Sequence, residues 1–161
     1  MTHARTGLPL GNPGLHVLPH RAMKEFSTHT LIRSSPEKIW SILTDAPGYP
    51  SWNTTVDKVD GTIALGAKVT VHAKISPGKA FPVKVAVLEA PSRMVWRGGA
   101  PLPFLFKGER TFTLSPKGDS VEFSMHEAFT GVLAPLIGKS IPDLTPAFQE
   151  FAACLKKRAE S

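Results

Sequence analysis

The chain has 161 residues, 42% of them hydrophobic, which suits a single domain with its own core. Lys and Arg number 19 against 13 acids, a net charge of +6, yet charged residues are only 20% of the chain, so its basic character reflects scarce acids. The lone cysteine, Cys154, excludes an internal disulfide and a four-thiolate zinc site, and no apolar run reaches the roughly 20 residues of a membrane helix.

Residues 1–22 contain no acid and are rich in Pro, Gly and His. Gly and Pro interrupt every short apolar run, so the segment lacks the apolar centre of a secretion signal. It reads as a flexible tail, or as sequence upstream of a start at Met23, followed by one domain over 23–161. His3, His16 and His20 are irregularly spaced without acidic co-ligands, so no metal site is expected there.

Glu25–Ile32 alternates loosely and reads as a strand. Ser35-Pro36-Glu37 then opens a helix: Ser caps, Pro suits the first position, and Glu favours the positive end. Ile39, Trp40, Ile42 and Leu43 supply its apolar face, and Pro47 ends it. A turn-rich link with one helical turn follows through Asn53.

From Thr54 the period becomes two. Val69, Val71, Ala73 and Ile75 share one face, as do Phe81, Val83, Val85 and Val87, then Phe112 and Leu114, then Val121, Phe123, Met125, Glu127 and Phe129. Arg93–Gly98 adds a short strand. Turn signals such as Ser76-Pro77-Gly78 and Ala90-Pro91-Ser92 separate these runs, which predicts an antiparallel meander with one apolar face.

Ile137, Ile141, Leu144, Phe148, Phe151 and Leu155 return to helical spacing. The unbroken stripe favours one bent helix from about Ile141 to Arg158, with a start capped by Thr145 as the alternative reading of Pro146. An antiparallel sheet with one apolar face needs a cover, and this helix is available for it.

Ser35-Pro36-Glu37-Lys38-Ile39-Trp40-Ser41-Ile42-Leu43-Thr44-Asp45, then Tyr49-Pro50-Ser51-Trp52-Asn53, Gly61, Gly66, and Phe123 to Pro135 together resemble the START-like (SRPBCC) superfamily, in its polyketide cyclase/dehydrase branch. The resemblance spans about Lys24 to Glu160. It implies an α+β helix-grip fold: a curved antiparallel sheet of six to seven strands wraps a long C-terminal helix, with two short helices after the first strand. It also implies a cavity for a lipid, polyketide or quinone-like molecule, without implying catalysis.

The chain lacks GxGxxG, phosphate-loop, HExxH and GxSxG motifs, and no cofactor is expected. Cys154 lies beside the apolar stripe and reads as a structural thiol. Only Lys156-Lys157-Arg158 clusters positive charge, and a solvated helix end explains it, so no nucleic-acid partner is expected. His72 and His126 take outward strand parity.

The sharpest candidate pair is Arg110 and Glu127. With Ser115 and Ser120 flanking the hairpin loop, Phe112 opposes Phe123 and Arg110 opposes Met125, which makes Arg110 and Glu127 inward diagonal neighbours. They read either as an ion pair closing one cavity end, or as a polar anchor for a ligand; a slipped register would put both in solvent. Trp52, Phe81, Val83, Val85, Trp96, Phe104, Phe106, Phe112, Met125, Phe129, Phe148 and Phe151 are the candidate apolar lining. The Pro-stiffened loop Pro101–Phe106 reads as a cavity lid or a lip touching a membrane transiently, against simple packing.

The expected function is non-catalytic binding or carriage of a hydrophobic small molecule by a cytoplasmic protein. The alternative is a polyketide aromatase/cyclase in which Glu127 and Arg110 act as the polar catalytic pair.

Overall fold

The computed structural model describes residues 22–161, so the segment expected to be a tail lies almost wholly outside the described residues. Seven strands form one sheet: β1 (Lys24–Ile32), β2 (Val56–Asp60), β3 (Lys68–Ala73), β4 (Phe81–Glu89), β5 (Arg93–Gly99), β6 (Lys107–Lys117) and β7 (Ser120–Thr130). Their order is β1-β7-β6-β5-β4-β3-β2, and every pair is antiparallel. The curled sheet wraps a C-terminal helix, as the helix-grip expectation requires.

Two short helices, α1 (Pro36–Thr44) and α2 (Tyr49–Trp52), follow β1. Ser35 caps α1, its hydroxyl accepting from the Lys38 N–H at 3.2 Å. The helix buries Ile39 and Leu43; Trp40, expected on that face, packs at its margin and is only partly buried. Ile39 and Leu43, four residues apart, face the core, and Trp40 is turned about 100° round the helix from Ile39.

The β6–β7 hairpin is tighter than the sequence suggests. Lys117 pairs with Ser120 across a two-residue Gly118-Asp119 turn, with Gly118 at φ 61°. Gly in the first central position suits a turn whose twist matches the strands. Phe112 therefore faces Met125 and Arg110 faces Glu127 directly, a shift of two from the expected register. An even shift preserves parity, so the inward set is unchanged.

In β4 the register slips between Val85 and Val87. This bulge breaks the expected alternation: Leu88, opposite the buried Met94, takes the inward place expected of Val87.

The terminal helix also differs. A short α3 (Ala134–Ile137) and a 3-10 turn precede α4 (Thr145–Glu160), so Pro142 lies outside the helix and Pro146 sits in its first turn. There a missing N–H costs nothing. Asp143 accepts the Thr145 N–H at 2.9 Å and steadies this start; no bend is needed.

Packing is graded along the strands. At the end holding Ile32, Leu88, Met94, Leu114 and Val121, the space between sheet and α4 is filled by Ile39, Leu43, Leu155 and Ala159. Toward the opposite end, which holds Lys24, Phe81, Gly99, Lys107 and Thr130, the inward positions pass to Gly98, Gly108, Arg110 and Glu127. The interior opens there.

Candidate functional site

A cavity of about 430 Å³ occupies this second end, between the sheet and the first turns of α4. It falls within the range of small-molecule sites. Phe81 and Val83 line it from β4, Trp96 from β5, Arg110 from β6, and Met125, Glu127 and Phe129 from β7; Phe106 enters from the preceding loop, Phe148 and Phe151 from α4.

Two glycines make the room. Gly98 and Gly108 are paired partners on β5 and β6. A β-carbon on Gly98 would meet Val83 at 3.0 Å, and one on Gly108 would meet the Phe129 ring at 3.1 Å.

Four expected lining residues lie elsewhere. Val85 and Phe112 are sealed in the core, although their cross-strand partners Trp96 and Met125 reach the cavity. Trp52 sits behind the wall, its ring 5.0 Å from Tyr49 and 5.4 Å from Phe151. Phe104 points outward at the tip of its loop, 64% exposed. His72 and His126 take the outer face beside Asp60 and Glu25.

Thr55, Ser76, Lys79 and Ser140 are also among the lining, and the ion pair in it is Arg110–Glu127. Arg110 donates from Nε to Glu127 Oε2 at 3.0 Å and again through Nη2. The guanidinium lies 4.9 Å from the Phe148 ring centre, a cation–π contact across the cavity. Neither side chain is sealed off, at 23% and 13% exposure. Among the described residues Arg110 Nη1 and Glu127 Oε1 have no hydrogen-bond partner, yet neither belongs to the buried unpartnered atoms. The pair thus offers a donor edge and an acceptor oxygen to whatever fills the space.

Tyr49, which the sequence offers only as part of the Tyr49–Asn53 motif and not as a site residue, feels the charge of Arg110. It is buried at 1% exposure and donates to the Leu43 carbonyl at 2.8 Å. Burial pushes its phenol far above the ordinary tyrosine range, against the opposing pull of Arg110.

The segment from Gly131 to Leu144 closes the cavity's outer side, with Ile137, Ser140 and Ile141 among its lining. Lys24 holds it down, donating to the Ile141 carbonyl at 2.6 Å and to that of Gly138 at 3.3 Å. Ile137, Ile141 and Leu144 belong to the apolar stripe read from the sequence, but they lie ahead of α4, and their place at the cavity follows only from the path of the chain. Among the described residues no His, Cys, Asp and Glu group is placed to hold a metal ion.

The family profile described as polyketide cyclase/dehydrase and lipid transport matches residues 23–160. No curated protein matches the sequence. Among solved structures, the chain is similar to a hypothetical protein of Helicobacter pylori, with a TM-score of 0.69 at 15% identity over 97% of this chain and 99% of that one. It is also similar to a START superfamily protein of Mycobacterium smegmatis, with a TM-score of 0.61 at 19% identity over 84% and 97%. A third likeness is to the Zhui aromatase/cyclase of a Streptomyces species, with a TM-score of 0.65 at 12% identity over 85% and 93%. At these identities the likenesses establish the fold.

Proposed function

Because the chain belongs to the polyketide cyclase/dehydrase and lipid transport family, we propose that it binds and carries a hydrophobic small molecule with one oxygen-bearing end, such as a lipid, polyketide or quinone, without transforming it. The observation that carries this reading is the single Arg110–Glu127 pair in an otherwise largely apolar cavity. The apolar walls take the body of the ligand. The free donor edge of Arg110 grips a carbonyl, hydroxyl or carboxylate oxygen, and Glu127 holds the guanidinium in place. Cys154 lies outside the lining, beside Glu150, and no histidine among the described residues lines the cavity.

Native mass spectrometry of gently purified protein, beside displacement of a fluorescent fatty-acid analogue, tests it. Arg110→Met should weaken binding of oxygen-bearing ligands by about 1.5–3 kcal/mol, while a pure hydrocarbon probe binds as before. Absence of both a co-purified ligand and analogue binding would overturn the reading.

One observation favours a cyclase as the second reading: Glu127 Oε1 stands unpartnered at the cavity, where a base assisting aldol closure would sit. In that case Glu127→Gln abolishes turnover of a poly-β-ketone substrate and leaves its affinity nearly intact.

A further inference from the structure

The cavity end of the barrel carries most of the exposed large apolar side chains. Leu102 and Phe104 on the β5–β6 loop are 52% and 64% exposed; Val132, Leu133 and Leu136 on the segment after β7 are 71%, 39% and 71% exposed. Ile75 and Phe81, at 41% and 40%, flank the β3–β4 loop beside them. Leu31 and Leu65 are the exposed large aliphatics away from this end among the described residues. Apolar side chains gathered like this mark a contact surface.

The display is braced. Val132 N donates to the Phe104 carbonyl at 3.0 Å and Leu133 N to that of Leu105 at 2.8 Å, so the two loops are stitched together backbone to backbone. Pro101, Pro103 and Pro135 stiffen them further. The apolar tips are held outward and are not left over from a failed collapse.

Their electrostatic setting is one-sided. Residues 61–88, 90–108 and 128–142 contain no Asp or Glu. Lys74, Lys79 and Lys139 stand exposed at this end without an ion pair among the described residues, and Lys107 adds a fourth cation. The acids nearest this end lie off the two loops: Glu109 is held by Arg97 and Lys107, Asp143 accepts the Thr145 N–H, Glu25 faces His126, and Asp57, exposed beside Val56, has no ion pair among the described residues.

We propose that this end docks on an anionic lipid bilayer, with the tips of 101–105 and 132–136 in the apolar layer and the lysines at the headgroups. The inference rests on the cavity being a site for a hydrophobic molecule, and it gives that molecule a path out of the bilayer, past Phe81, Phe106, Ile137 and Ile141, which line the cavity. Apolar tips ringed by long cationic side chains match the profile of an interface. A second copy of the chain fits poorly, since it would oppose lysine to lysine. Residues 1–21 fit no better, because they too contain no acid.

Co-sedimentation with phosphatidylcholine vesicles, with and without phosphatidylglycerol, tests the proposal on the full chain. Binding should require the anionic lipid and weaken with salt, as the Debye length shrinks to about 10 Å at 0.1 M. Lys79→Gln and Lys139→Gln should each lower partitioning about five-fold. Phe104→Ser with Leu136→Ser should lower it about ten-fold or more. Leu65→Ser, equally exposed at the other end, should leave it unchanged.

Equal binding to both vesicles, or wild-type binding by the Phe104/Leu136 variant, overturns the proposal. So does a wild-type dimer that this variant makes monomeric, because a second copy then covers the surface. Amide-exchange protection of residues 1–21 that the variant removes would assign the surface to those residues and overturn it equally. Displacement of the fatty-acid analogue in vesicle-free buffer reads the cavity separately. If it persists while vesicle binding fails, only the docking proposal falls.

Discussion

Arg110 and Glu127 stand directly opposite one another on β6 and β7, and the same register row continues to Trp96 on β5 and Phe26 on β1. The pair is mostly desolvated but touches the cavity, so a stranded partner is partly hydrated. Arg110→Met or Glu127→Gln should each cost about 1.5–3 kcal/mol, below the cost of breaking a fully buried pair. The double variant should recover part of the loss, and urea denaturation of all four proteins gives the coupling energy. Additive losses would mean that the two charges do not support one another.

Tyr49 is the chain's single tyrosine, which makes its ionisation readable alone. Its raised pKa comes first from burial, offset by the Arg110 charge, with Asp45 adding to the rise. Above about pH 10 the unfolded phenol loses its proton while the folded one keeps it. The folded state then binds more protons, so stability falls as pH rises, and below that pH the contribution is intact. Ultraviolet titration should show no tyrosinate until the fold melts. Tyr49→Phe should lose about 1 kcal/mol at neutral pH, with the Leu43 hydrogen bond, and flatten the alkaline decline.

Lys24 fastens the segment over the cavity through the Ile141 and Gly138 carbonyls. Lys24→Met should cost only about 1 kcal/mol globally. Its larger effect should be local: faster amide exchange over 138–144 and faster ligand release in stopped-flow displacement. Unchanged exchange there would show that packing alone holds the segment.

Gly131 sits at φ 117°, where an added β-carbon would meet the Leu105 carbonyl oxygen at 2.5 Å. That backbone region is strained for other residues, and the stitched loops leave nowhere to shift. Gly131→Ala should cost at least about 2 kcal/mol. Gly78→Ala, at φ 75° with open space around it, carries only the conformational penalty of about 1–2 kcal/mol. Thermal melts of the two variants give the comparison.

The strands, their number and their inward faces were legible because side chains alternate strictly along a strand. That parity survived a hairpin register wrong by two, since Gly118-Asp119 forms the turn where a four-residue loop was expected. The bulge between Val85 and Val87 left no compositional mark, so Leu88 and Val87 exchanged places unseen. Pro142 and Pro146 both fitted the apolar stripe, and only the chain path placed the start of α4 between them. Phe112 and Phe148 looked alike as inward aromatics, and both are buried, yet only Phe148 also lines the cavity. A signal for that difference was present: Gly98 and Gly108 both take inward parity, and two facing glycines mean that the wall is hollow there.

The grading of the interior from filled to hollow divides the molecule's cooperativity. Hydrogen exchange follows buried contact, so the end built on Ile32, Met94, Leu114 and Leu155 should unlock only with global unfolding. The end held by one lysine, one ion pair and two stitched loops can open by a smaller, sub-global fluctuation. A guest can therefore leave through breathing of one end while the other keeps the chain folded. A bound guest that fills the hollow should, in turn, damp that breathing before it raises the melting temperature.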